Sequence, residues 1–327
     1  MRQLIAVVVL AALLGGASWG VLACTSFAVY SGRTLYGMNF DYPPCEVRFV
    51  LEEHEAGLVF IGSFWMGDHY GRTVGMNSQG LFSSCQMVSP AKARVEERGS
   101  DELYVWNAFY EGLQTCSSVA EITDFIADER LVQYPTLTLH NLYADVEGSA
   151  MVVESGETGN VITEIDGPFI AMTNFPNGDF QGVDYREVRG DGAHRYRIAY
   201  ATIEERFDDF DLGDAFETLE QTVQSTGEYS TLYSLVFNPI AREVYIALER
   251  DFDHIWKVSL DNQTIETFRG FDKAVTLPMA SEGVLGSTLQ SYVPTEAQPN
   301  WQRPATVITT LLVLVLGLGL VLFLTRK

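Results

Sequence analysis

The chain has 327 residues, 47% of them hydrophobic, enough for one large core or two small ones. Its formal net charge of −22, from 43 acidic against 21 basic residues, disfavours nucleic acid and anionic membrane surfaces as partners. Four cysteines (24, 45, 85 and 116) are too sparse for a disulfide scaffold, and with five scattered histidines and no Cys-x-x-Cys pair no metal site is expected.

In chain order, Arg2, the apolar run Leu4 to Leu14 and small residues up to Ala23 read as a secretory leader over 1–23. Cleavage after Ala23 makes Cys24 the first residue, carrying both a thiol and a free α-amine. An α-amine titrates near pH ~7.7–8.0, so it serves as a general base at neutral pH. Nucleophile and base then share one residue, as for threonine with an N-terminal amine. The alternative is a lipoprotein cysteine, acylated rather than catalytic; Leu22 is a poor fit to that pattern.

Strands are expected at Phe27–Tyr30 and Thr34–Met38 around the Ser31-Gly32 turn, with Asp41-Tyr-Pro-Pro ending the second. More follow at 47–51, 58–64, 72–76 and 81–88, the last two joined by Asn77-Ser-Gln-Gly80. Ser100-Asp-Glu reads as the cap of a helix carrying Leu103, Trp106, Phe109 and Leu113, and Ser118-Val-Ala-Glu121 as a capping box for a second. Strands at 136–145, 150–154, 161–165 and 169–173, helices at 193–203 and 214–223, and strands at 231–238, 243–248, 255–259 and 264–269 complete the body. This layout is α+β, with helices segregated from sheets, and it shows no internal linker or repeat. Residues 281–305, with Pro294, Pro299 and Pro304, read as a tether of little fixed structure. Thr306 to Thr325 is charge-free, and twenty residues at ~1.5 Å each span ~30 Å, one bilayer core. Arg326 and Lys327 then place the C-terminus in the cytoplasm and the body on the outer face, by the positive-inside rule. Asn262-Gln-Thr264 has the form of a glycosylation sequon.

Cys24-Thr-Ser-Phe, Gly37-Met-Asn-Phe-Asp41-Tyr-Pro, Gly75-Met-Asn-Ser-Gln-Gly-Leu81, Leu139-His140, Asn174-Phe-Pro and Arg195-Tyr-Arg197 follow one another in order. Together they resemble the N-terminal-nucleophile amidases of the choloylglycine hydrolase, penicillin V acylase and acid ceramidase type, over residues 24 to about 260. The resemblance implies a four-layer αββα sandwich (residues 24–280) and an enzyme that hydrolyses the C–N bond of small linear N-acyl amides. It needs no metal or organic cofactor. It also implies roles: Cys24 the nucleophile, Asp41 the acid that positions its amine, Asn174 an oxyanion donor, and Arg195 the cation that steadies the site. His140 is assigned no catalysis. The chain departs from the pattern at Met38, where the family has an arginine, and at Met87, where bile-salt enzymes have an asparagine and penicillin acylases a tyrosine. Two alternatives stay open: acyl transfer from the same acyl-enzyme, and a catalytically silent surface binding module.

Overall fold

The structure, a computed structural model, describes residues 24–294 apart from Thr226. The first half contains β1 (Thr25–Tyr30), β2 (Thr34–Tyr42), β3 (Val47–His54), β4 (Gly57–Trp65), β5 (Tyr70–Asn77), β6 (Phe82–Met87) and β7 (Glu102–Tyr104). There follow α1 (Val105–Thr115), α2 (Val119–Phe125), β8 (Arg130–Val132), β9 (Leu139–Ala144), β10 (Ala150–Ser155), β11 (Asn160–Glu164) and β12 (Phe169–Met172). The rest is α3 (Ala193–Arg206), α4 (Leu212–Gln221), β13 (Ser230–Asn238), β14 (Glu243–Leu248), β15 (Asp251–Ser259), β16 (Thr264–Arg269), β17 (Thr276–Pro278), β18 (Val284–Leu285) and α5 (Gly286–Gln290).

Two antiparallel eight-stranded sheets face each other. One runs β12-β1-β2-β13-β14-β15-β16-β17 and the other β11-β10-β9-β6-β5-β4-β3-β18. Strand alternation sorts the apolar residues into layers. Ala28, Met38, Phe60, Phe82, Leu235 and Trp256 fill the space between the sheets. Phe27, Val29 and Val236 turn the other way, onto Ile203, Phe216 and Leu219 of α3 and α4. Ile61, Cys85 and Tyr143 likewise meet Phe109, Leu113 and Ile122 of α1 and α2. The order helix, sheet, sheet, helix is the expected αββα sandwich.

Local signals succeeded unevenly. Ser118 caps α2 by accepting from the Glu121 N–H (3.2 Å). Ser100-Asp-Glu, by contrast, caps nothing: α1 starts at Val105 behind Tyr104, and Leu103 lies in β7, paired in parallel with β8. That pairing joins segments about 28 residues apart, which periodicity within one segment does not reveal.

A larger correction falls at 281–294, the described part of the expected tether. This part is docked rather than free: Val284 pairs with Phe49 of β3, and Val284, Leu289 and Val293 are buried. Glu46 Oε1 accepts from the Ser287 N–H at 3.0 Å, and Tyr292 meets Trp256 edge-on at 5.8 Å between centroids. The Gly/Ser composition hid three buried apolar residues, of which Val284 and Leu289 join the core between the sheets. A chain cut after Pro294 is expected to melt like one of full length, whereas a cut after Ala280 should lower Tm by roughly 5–15 °C. A buried leucine alone contributes ~2–5 kcal/mol, and each kcal/mol is worth ~2–4 °C in a domain of this size. Equal melting of the two truncated chains would show that the segment is a passive passenger. Among the described residues no helix is long and apolar enough to cross a membrane. The expected leader at 1–23, the rest of the tether at 295–305, the span at 306–325 and the cytoplasmic end at 326–327 lie outside the described residues.

Candidate active site

Cys24 immediately precedes β1, a strand flanked on both sides by β12 and β2. The register Thr25↔Asn39 brings it beside the far end of β2, where Asp41 lies opposite Thr231 of β13. Cys24 and Asp41 are both buried. The Cys24 thiol is pushed up to about 12, by burial first and by the Asp41 charge second; the Asp41 backbone and the Arg195 charge lower it only in part. Burial also pushes the Asp41 carboxyl up to about 7, with Arg195, the Thr231 hydroxyl and Arg250 pulling back down. Thr231 Oγ1 donates to Asp41 Oδ1, while Asp41 Oδ2 is buried with no hydrogen-bond partner among the described residues.

Arg195 ties the other pieces together from the first turn of α3. Its Nη1 donates to the Cys24 carbonyl and to Thr25 Oγ1 (2.8 Å), and its Nη2 donates to Asn174 Oδ1 (2.7 Å). The helix enters through Gly192 at φ +75°, where a Cβ would come within 2.8 Å of Arg195 Nη2 and 2.9 Å of Thr173 Cβ. Only glycine allows that approach at that φ. Arg195 stands behind the site and is buried, which lowers its pKa from the ordinary arginine value, against the raising effect of Asp41 and Cys24.

Asn174 follows β12. Its Nδ2 donates to the Met87 carbonyl (2.8 Å), and its own carbonyl accepts from the Ser89 N–H (2.8 Å). A primary amide nitrogen carries two hydrogens, so one remains for another acceptor. The loop bearing Asn174 is held by His140. The His140 Nε2 donates to the Thr173 carbonyl (2.7 Å), and its Nδ1 lies 3.0 Å from Glu154 Oε1. Glu154 also accepts from the N–H groups of Asn177 (3.0 Å) and Gly178 (2.8 Å). His140 is thus a buried anchor for the loop.

A cavity of about 680 Å³ opens over these groups and is lined by Cys24, Asp41 and Asn174. Its other walls are mainly apolar, with Phe40, Phe64, Met66, Trp106, Leu137 and Tyr229 among them. The volume suits a small organic ligand. Met38 is fully buried between the sheets beside Ser26, so no cation occupies that position near the thiol. Met87 turns its side chain toward the outer helical layer and offers its carbonyl to Asn174. All four cysteines are free, and Cys85 lines the cavity with Cys24.

The fold brings together all four residues singled out from the sequence. Sequence reading passed over Thr231, Gly192 and Gln86. Thr231 pairs with Asp41 across 190 positions and left no local signal. Gln86, a cavity residue, was findable: alternation along β6 turns it to the same side as Phe82, toward the opposite sheet.

The same fold occurs in solved structures. A mutant of conjugated bile acid hydrolase from Clostridium perfringens gives a TM-score of 0.52 at 16% identity, covering 79% of this chain and 97% of that one. Penicillin V acylase from Agrobacterium tumefaciens gives 0.52 at 14% identity, covering 75% and 91%. The protein therefore has the N-terminal-nucleophile hydrolase fold of the choloylglycine hydrolase group. Residues 30–252 match the model of the acyl-coenzyme A:6-aminopenicillanic acid acyl-transferase family, and the chain belongs to that family. The match includes Asp41, Asn174 and Arg195 and begins after Cys24. No curated protein matches the chain.

Proposed function

We propose that the protein is an amidohydrolase that cleaves linear N-acyl amides with Cys24 as an N-terminal nucleophile. The observation that carries this reading is the unpartnered, buried Asp41 Oδ2 beside Cys24, in a cavity it shares with Asn174. A buried carboxylate oxygen calls for a donor, and an α-ammonium on Cys24 supplies one. Residues 1–23 act as a leader whose removal frees that amine. The Cys24 sulfur attacks the amide carbonyl as the thiol proton passes to the α-amine, and Asn174 Nδ2 donates to the oxyanion. The C–N bond then breaks, the ammonium protonates the departing amine, and a thioester remains. Water, deprotonated by the same amine, attacks the thioester, and the thiolate leaves and is reprotonated. Arg195 holds Cys24 and Asn174 in relative position. The apolar cavity walls favour an apolar acyl group. Export by the leader and anchoring by a membrane helix at 306–325 place the body on the outer face of the membrane.

The family name favours a second reading, in which an amine takes the place of water in the last step. Intact-mass analysis of the mature protein, followed by product analysis of an N-acyl amide with and without added amine, tests both. The expected result is an unmodified Cys24 at residue one and free carboxylic acid as the main product. A new amide as the main product would establish transfer, and an acylated Cys24 would establish the lipoprotein alternative.

A further inference from the structure

Nine side chains hold a buried polar atom with no hydrogen-bond partner among the described residues, and two of them, Asp41 and Gln86, line the cavity. Asp41 Oδ2 faces the position of the Cys24 amine in the reading above. Gln86 has no such assignment. Its side chain crosses from β6 to the opposite sheet, where Nε2 donates to Ser26 Oγ, two residues beyond Cys24 on the same face of β1. It is 1% exposed, and its Oε1 is the unpartnered atom.

We infer that Gln86 Oε1 accepts the N–H of the amide bond under attack, so that the site selects amides bearing a hydrogen on nitrogen. The inference rests on Cys24 being the nucleophile. A linear secondary amide presents one acceptor, its carbonyl, and one donor, its N–H. Asn174 supplies the donor for the first. Among the side-chain amides at the site, Asn174 Oδ1 already receives Arg195. Gln86 Oε1 is a buried cavity-lining acceptor with neither a partner among the described residues nor a role toward the Cys24 amine, and the bond from its Nε2 to Ser26 Oγ holds the side chain in place. A polar atom buried in this way is costly until paired, and a substrate lacking the matching donor leaves it unpaired. The same bond sets the nitrogen's orientation: with N–H held toward Gln86, the lone pair that must receive the proton turns away from it.

The test compares decanoyl p-nitroanilide with its N-methyl counterpart, on protein processed at Cys24, before and after Gln86→Met. Methionine matches glutamine in length and offers no comparable acceptor. The native protein is expected to prefer the N–H anilide, and Gln86→Met to shrink that preference by ~10-fold or more, chiefly by slowing the N–H anilide. Taking the ratio between variants cancels the intrinsic reactivity difference of the two probes. An unchanged preference in a folded Gln86→Met protein overturns the inference. Should that variant fail to fold, calorimetric binding of the two anilides to Cys24→Ala decides. Tighter binding of the N–H form by ~10-fold supports Gln86, and equal affinity overturns it. Absence of hydrolysis by native protein with retained selective binding counts against Cys24 alone, and absence of any binding overturns both.

Discussion

A body that begins at Cys24 is expected to turn over a simple N-acyl amide. The same body with uncleavable residues ahead of Cys24 is expected to be as inactive as Cys24→Ala, a loss of ~10⁴-fold or more. The reason lies in the thiol. Burial, and then the Asp41 charge, hold it up to about 12, and Met38 leaves no cation at the position that would favour thiolate. The thiol is therefore protonated at neutral pH and needs a base within reach. A free α-amine supplies one, with a rate rising as it deprotonates near neutral pH; an amide nitrogen does not. Folding of all three forms is checked by circular dichroism. A fully active extended form would defeat the mechanism and point to Asp41, itself near pH 7, as the proton acceptor.

Stability against pH should separate the same two forms. With the amine blocked, the Asp41 carboxyl is raised from 3.8 to about 7. The folded protein then keeps a proton that the unfolded chain loses, so stability is full below pH ~4 and falls as pH rises through ~7. Freeing the amine places a positive charge beside Oδ2 and restores the ionised form. Between pH 4 and 7, Tm of the extended form should thus drop more than that of the processed form. Parallel profiles would show that the amine never reaches Asp41.

The sheets and outer helices were legible because alternation and helical spacing act within one segment: the 243–248 and 264–269 strands match β14 and β16. The failures share one cause. β7 with β8, Val284 on β3, and Thr231 on Asp41 are pairings between distant segments, each set by tertiary geometry rather than local propensity. Cys24, Asp41, Asn174 and Arg195 could be picked out through their motifs, since no single one differs from a turn former or surface ion. Their mutual bonds could not. That Arg195 grips the Cys24 carbonyl and the Asn174 amide at once follows only from the way α3 enters at Gly192.

Those bonds shape the expected behaviour of Asn174 variants. Asn174→Ala should lose ~10²–10³ in kcat with KM little changed, the usual cost of removing one preorganised oxyanion donor. Alanine also abandons Arg195 Nη2 and the Met87 carbonyl, so a loss in that variant alone does not separate oxyanion donation from clamping. Asn174→Asp separates donation from the Arg195 part of the clamp. Aspartate has the same shape and keeps an oxygen for Arg195 Nη2, strengthened by charge. It loses the Nδ2 donor, and with it the bond to the Met87 carbonyl, and sets a negative group where the oxyanion would develop. If Asn174 acts by donating to that oxyanion, the aspartate variant should be at least as slow as the alanine one although its contact with Arg195 is kept. If its contribution is only to hold Arg195, the aspartate variant should keep more of the native turnover than the alanine one. Steady-state kcat and KM for the two variants, each with a thermal melt, distinguish the cases. A near-native rate for Asn174→Asp would remove Asn174 from the chemistry and leave the oxyanion to another donor.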